Sequence, residues 1–338
     1  MKKLIQVNDL RVSYHTYAGE VQSVRGVDFY VNEGETIAIV GESGCGKSVT
    51  AKTIMGLIPT PPGEIKEGSS ILLDGVDILQ QTEKEWEAYR GATCSMIFQD
   101  ALTSLNPTMN IGNQIMENIL NHSDMTRTQA REEALRMIEL VGIPDADACL
   151  RKYPHQLSGG MRQRVMIAIA LACQPKVLIA DEPTTALDVT IQAQIIDLMK
   201  DLQKKLGTTI ILITHDLGVV ANIASRIVVM YSGKIMEKGT VNEIFYGHKH
   251  PYTWALLNAA PNLSLGNKQT LLSIEGTPPD LIEPPKGCPF AARCKYCMNI
   301  CIEETPEVYE FEKDHKVACW LYHPESGYAD IDFSKEAE

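Results

Sequence analysis

The stretch Gly41-Glu-Ser-Gly-Cys-Gly-Lys-Ser48 constrains this chain more than any other. It satisfies the phosphate-loop pattern GxxxxGK(S/T) at every fixed position. Thr36 to Val40 before it is a short apolar, β-branched run, which reads as a buried strand. Val49 to Leu57 after it reads as the start of a helix. Gly41, Gly44 and Gly46 permit positive φ, so the loop can turn its N–H groups inward. Those groups and the following helix N-terminus make an anion site. In this pattern Lys47 reaches the β- and γ-phosphates of a nucleotide and Ser48 holds Mg²⁺.

The chain has 338 residues, long enough to expect two domains. Its net charge of −12 argues against nonspecific binding of nucleic acid, which needs a basic face. No apolar run approaches the roughly 18 residues of a membrane span, and the N-terminus carries no signal-peptide pattern. The expected protein is soluble, with any membrane role reached through a partner. Five of nine cysteines, Cys288, Cys294, Cys297, Cys301 and Cys319, crowd near the C-terminus. A cysteine within the phosphate loop suggests a reducing cytosol, where such a cluster binds metal more readily than it forms disulfides.

The pattern along the chain predicts an α/β fold. Leu4 to Val12 reads as a strand and Val21 to Val31 as a strand pair. Residues 110–154 read as helices, with Ala134, Met137, Ile138 and Val141 on one apolar face and a capping box from Thr126 to Gln129. Leu157-Ser-Gly-Gly-Met-Arg-Gln-Arg164 opens a buried helix, and Ser158, Gly159 and Gly160 make a second anion-binding helix start. Val177 to Ala180 is an apolar strand that delivers Asp181 and Glu182 at its C-terminal end, where parallel sheets bind ligands. Thr209 to Ile213 is another buried strand, followed by His215. Beyond about Val241 the segments are extended and turn-rich, with little apolar sequence to form a core.

The phosphate loop, Gln99, the stretch 157–163, Asp181-Glu182 and His215 occur in the order and spacing of ATP-binding cassettes, and residues 4–240 resemble that family. The resemblance implies a RecA-like phosphate-loop core with a β-subdomain and an α-helical insertion at about 105–160. Residues 241–338 would then form a small, loop-rich extension. It implies an ATPase with ATP held by Tyr14, Gly41, Ser43, Gly44, Cys45, Gly46, Lys47, Ser48 and Val49. Ser48, Gln99 and Asp181 would face Mg²⁺. Glu182 would be the general base, with Lys47, Gln99 and the switch histidine His215 completing the catalytic set. Ser158, Gly159, Gly160 and Gln163 would meet the ATP of a partner cassette, and Asp188 would cross that dimer interface.

Three further stretches are similar to the ATP-binding subunits of oligopeptide/dipeptide permeases: residues 98–107, 185–194 and His250-Pro-Tyr-Thr253. Ala101 stands where that pattern usually has proline. The cysteine-bearing extension looks like that of the D-type subunit. The resemblance implies peptide import from the cytoplasmic side of the membrane, as a peripheral subunit. Its partners would be a second, F-type cassette in a heterodimer, two membrane permeases and, indirectly, an extracytoplasmic binding protein. It implies a 4Fe–4S cluster on Cys288, Cys294, Cys301 and Cys319, with Cys297 as an extra thiol and zinc as the alternative metal. Import of nickel or oligosaccharides is the alternative cargo. A soluble cassette ATPase outside transport is the alternative class, although such proteins usually carry two cassettes or a long coiled coil, and neither is present here.

Overall fold

The computed structural model describes residues 2–99, 104–185, 187–259, 274–312, 314–328, 331 and 333. Ala101, and Ala186 within the second permease-like stretch, lie outside the described residues. The chain divides into two compact units. One comprises Met1–Lys3, Val31–Thr36 and Leu79–Ile213, the other Leu4–Tyr30, Ile37–Ile78 and Thr214–Glu338.

The first unit holds three parallel strands, Cys94–Ile97, Val177–Asp181 and Thr209–Ile213, with Ile97 opposite Ala180 and Asp181 opposite Ile213. The last two are buried at every position. A parallel strand covered on both faces needs an unbroken apolar run, which is what the sequence supplies. Helices Ile111–His122, Arg127–Leu140, Ala146–Arg151 and Gly159–Leu171 pack on one another. The expected apolar face is buried at Ala134, Met137, Ile138 and Val141. The expected capping box forms: Gln129 N–H donates to Thr126 Oγ1 at 3.4 Å and Thr126 N–H to Gln129 Oε1 at 2.8 Å. Helix Val189–Leu206 buries Ile195, Ile196, Met199 and Leu202 at helical spacing and stops at Gly207, whose φ is +69°.

The second unit holds an antiparallel sheet in which Lys3–Thr16 lies between Gly19–Asn32 and Ser70–Leu73. The expected strand pair over 21–31 is instead one 14-residue strand. Gly26 takes a φ of +87° within it without ending the strand. Another set of strands contains Thr36–Val40 parallel to Arg226–Tyr231, which runs antiparallel to Lys234–Thr240.

The extension departs most from expectation. His315–Ala318 pairs with Lys234–Thr240, and Val308–Glu312 pairs with His315–Ala318. The extension also has a core. Tyr252, Phe290, Cys288 and Cys301 share one buried cluster with Val40, Val229 and Tyr231. Leu321, Tyr322 and Phe333 join Val317 in another. The sequence hides this because the apolar residues stand singly among cysteines and prolines. Aromatic rings bury about 150–250 Å² each, so a few suffice without any periodicity. The fully buried Glu237 carboxylate adds a polar anchor, accepting from His315 Nε2 at 2.7 Å, Lys249 N at 2.7 Å and His250 N at 3.0 Å.

Candidate active site

The buried strand Thr36–Val40 runs directly into the phosphate loop. A Cβ at Gly41 would lie 2.1 Å from Met230 O, and one at Gly46 would lie 2.4 Å from Ser23 O. Both positions also take positive φ, so backbone crowding and conformation each demand glycine. Gly46 caps helix Lys47–Ile54, which carries Ser48 and Val49 on its first turn. Ser43 and Gly44 are exposed at the loop's tip, whereas Cys45 is buried beneath it. Burial pushes the Cys45 thiol up, an effect the Lys47 charge partly offsets.

Lys47 is 6 % exposed. Its ammonium is folded back over the loop, donating to Gly41 O at 2.8 Å and Glu42 O at 2.9 Å, with Cys45 Sγ at 3.7 Å. A buried charge held by two carbonyls can exchange them for phosphate oxygens at little desolvation cost. Tyr14 is half-buried opposite Gly63, and burial raises its phenol above the usual range. His215 is exposed just after the strand Thr209–Ile213. The next residue, Asp216, caps helix Leu217–Ile223 by accepting from Gly218 N and Val219 N.

In the first unit, Asp181 ends its strand at 5 % exposure. Glu182 follows with a φ of +47°, a left-handed backbone on a non-glycine residue. Such conformations cost about 1–3 kcal/mol and gather at functional sites. Here the strained residue is held by its N–H donating to Ile213 O at 2.8 Å. Its Oε2 accepts from Gln99 Nε2 at 2.9 Å and from Thr185 Oγ1 at 2.9 Å. The fold thus joins two expected site residues 83 positions apart and adds Thr185, which sequence reasoning missed. A hydroxyl three residues beyond the glutamate was the available signal.

Ser158 caps helix Gly159–Leu171, its Oγ accepting from Met161 N at 3.3 Å. A Cβ at Gly160 would lie 2.8 Å from Ile191 Cγ2, so this glycine permits close helix packing; Gly159 has ordinary room. Gln163 is buried, and its Nε2 has no hydrogen-bond partner among the described residues. Asp188 is exposed at the start of helix Val189–Leu206 and makes no side-chain capping bond.

Cys288, Cys294, Cys301 and Cys319 line one cavity of the extension, together with His250. Cys297 is exposed and does not line it. Burial, then the neighbouring cysteines, push the Cys288 thiol to about 11 and the Cys294 thiol to about 12. Cys319 rises in the same way. Gly287 permits the tight approach that lets Cys288 N–H reach Cys301 O at 2.7 Å. The donor set is four sulfurs around one low-dielectric space, where thiolates need a cation to neutralise them. Among the described residues, no three His, Cys, Asp or Glu side chains stand in metal-holding geometry. The sulfurs fit a cluster or zinc by chemistry and grouping, and not by present side-chain placement.

A phosphate loop on a parallel strand, with strained acid–glutamine chemistry at another parallel strand's end, defines a phosphate-loop nucleoside triphosphatase. The sequence profile of the ABC transporter family matches residues 24–185, and that of the oligopeptide/dipeptide transporter C-terminal region matches residues 236–301. The chain is 56% identical over 324 residues to the oligopeptide transport ATP-binding protein OppD of Bacillus subtilis, covering 96% of this chain and 90% of the relative. It is 53% identical to the dipeptide transport ATP-binding protein DppD of the same organism, covering 97% and 98%. A dimeric ATP-binding cassette solved in a post-hydrolysis state with ADP and phosphate superimposes with a TM-score of 0.62. It is 26% identical and covers 70% of this chain and 98% of its own. The chain belongs to the ABC transporter ATP-binding proteins, in the oligopeptide/dipeptide branch, and is an ABC-type ATPase. Among the described residues no helix is long and apolar enough to cross a membrane.

Proposed function

We propose that this chain binds and hydrolyses ATP on the cytoplasmic face of the membrane to drive peptide import through two permease subunits. The observation that carries the catalytic part is the Gln99–Glu182 bond directly after Asp181, in a chain with an intact phosphate loop. Peptide as cargo is supported by the oligopeptide- and dipeptide-transport names of relatives that match nearly end to end. Residues 1–240 form the nucleotide-binding domain, with its helical subdomain at about 105–160, and residues 241–338 form the extension.

Tyr14 stacks on the adenine. The N–H groups of Gly41, Ser43, Gly44, Cys45 and Gly46, and those of Lys47, Ser48 and Val49 at the helix start, cradle the phosphates. Lys47 exchanges its loop carbonyls for β- and γ-phosphate oxygens. Ser48, Asp181 and Gln99 would hold Mg²⁺, which would supply charge neutralisation on the phosphates. Glu182 takes the proton of the attacking water, and Gln99 and Thr185 aim the carboxylate that does so. His215 contacts the γ-phosphate. Ser158, Gly159, Gly160 and Gln163 serve the ATP of a second, F-type cassette, and Asp188 lies at that heterodimer interface. The substrate-binding protein acts on the assembly from outside, and no nucleic acid takes part.

The working unit is expected to need its partners. Purified alone, the chain should turn over ATP slowly, and co-expression with the second cassette and the permeases should raise the rate. Full turnover by a strictly monomeric preparation would count against the heterodimer.

For the extension we infer a 4Fe–4S cluster on Cys288, Cys294, Cys301 and Cys319. The shared cavity and the exposure of Cys297 support that choice of ligands. When bound, the cluster supplies folding free energy to the segment that carries it. Anaerobically purified protein should be brown, with about four irons and four sulfides per chain, the content of one such cluster. Cys288→Ser or Cys319→Ser should bleach it, and Cys297→Ser should not. A colourless anaerobic preparation with one zinc per chain would replace the cluster by zinc.

A further inference from the structure

We propose that Arg293 is a positioning residue for ATP, acting through Glu42 of the phosphate loop. The proposal rests on the phosphate loop being the ATP site. Glu42 follows Gly41, inside a loop whose N–H groups favour an anion. A carboxylate there is a like charge beside the triphosphate the loop must hold.

Arg293 closes over that carboxylate. Nη1 donates to Glu42 Oε2 at 2.6 Å and Nη2 donates to Glu42 Oε1 at 3.0 Å. The Arg293 side chain is 5% exposed and that of Glu42 is 23% exposed. The three remaining guanidinium N–H groups are also used. Nη1 donates to Tyr231 OH at 3.0 Å, Nη2 to Ile274 O at 3.0 Å and Nε to Glu275 O at 2.9 Å. With every donor committed, the fork has one orientation, and a lysine could not reproduce it.

The main chain of Glu42 is held as well. Its N–H donates to Tyr252 OH at 2.9 Å, and its carbonyl is one of the two that hold Lys47. Tyr231 and Tyr252 are fully buried with ring centroids 4.6 Å apart, and Phe290 packs on both. Arg293 ends the short turn Ala291–Arg293, between Cys288 and Cys294. The extension therefore grips the second residue of the phosphate loop by side chain and backbone, from 251 and 210 positions away.

Two consequences act in the same direction. Arg293 cancels the Glu42 charge that would oppose the phosphates, and it fixes Glu42 within the loop that receives them. Charge cancellation is the larger effect, because the site is partly desolvated and the ligand is multiply anionic. It also separates this role from simple packing, since neutralising Glu42 should then repair the loss of Arg293.

The test is equilibrium binding of ATP to the full chain for wild type, Arg293→Met, Glu42→Gln and the double variant. Arg293→Met should raise the ATP Kd about tenfold, an ordinary coupling for residues in contact. The double variant should return to within about threefold of Glu42→Gln alone. An unchanged Kd in Arg293→Met overturns the proposal, as does a defect that Glu42→Gln leaves just as large. If Arg293→Met does not fold, Arg293→Gln decides. It removes the charge but keeps a polar side chain with an N–H donor, so its Kd should also rise about tenfold; no rise overturns the proposal. A wild-type chain that binds no ATP would instead remove the phosphate-loop assignment on which all of this rests.

Discussion

ATP hydrolysis should fall by about 10²–10⁴-fold in Glu182→Gln while ATP binding is retained, the usual contribution of a general base. The substitution is close to isosteric. An amide oxygen at this position can still accept from Gln99 Nε2 and Thr185 Oγ1, the two bonds the carboxylate makes at 2.9 Å. The left-handed backbone and the N–H bond to Ile213 O are untouched by a change of side-chain terminus. What is lost is the ability to take a proton. The phosphate loop is unaltered, so nucleotide should bind and remain bound, trapping the ATP-loaded assembly. Single-turnover hydrolysis measured beside equilibrium ATP binding separates the two quantities. A rate within threefold of wild type would remove Glu182 as the base, and lost binding would make it a structural residue.

Lys47→Ala should abolish useful ATP affinity. Removing one partner of a desolvated charge pair costs about 2–5 kcal/mol, or roughly 30-fold to 5,000-fold in Kd. Lys47 is nearly inaccessible and is already committed to the loop, donating to Gly41 O and Glu42 O. Alanine would lose the phosphate contact and also leave those two carbonyls without this donor. Equilibrium binding of ATP checks the effect, and thermal melting verifies that the variant is folded. An affinity within threefold of wild type would place the phosphates elsewhere.

Much of this was legible because it is local. The phosphate loop, its strand and its helix lie within about twenty residues, and their glycines are dictated by turns that the pattern itself implies. The buried strands Val177–Asp181 and Thr209–Ile213 announce themselves by the apolar runs 177–180 and 210–213. The Thr126–Gln129 capping box spans one helical turn. Glu182 was marked by its place at a strand's C-terminal end, but its partner Gln99 reaches it from 83 residues away and owed its role to resemblance alone. The extension was the least legible. Val308–Glu312 is mostly exposed, so its residues carry no buried alternation. The burial of Tyr252, Phe290 and Leu321 depends on the partners the fold gives them. Arg293 stands in a cysteine-flanked turn where only the distant Glu42 gives it meaning.

ATP turnover by this chain powers peptide uptake, a coupling that can be measured in cells. Its most direct test is the initial rate of labelled-oligopeptide uptake by cells whose chromosomal copy carries Lys47→Ala, with the protein's abundance verified. Uptake should be no faster than in cells lacking the chain. Uptake at the wild-type rate, with the variant protein at its normal level, would contradict it.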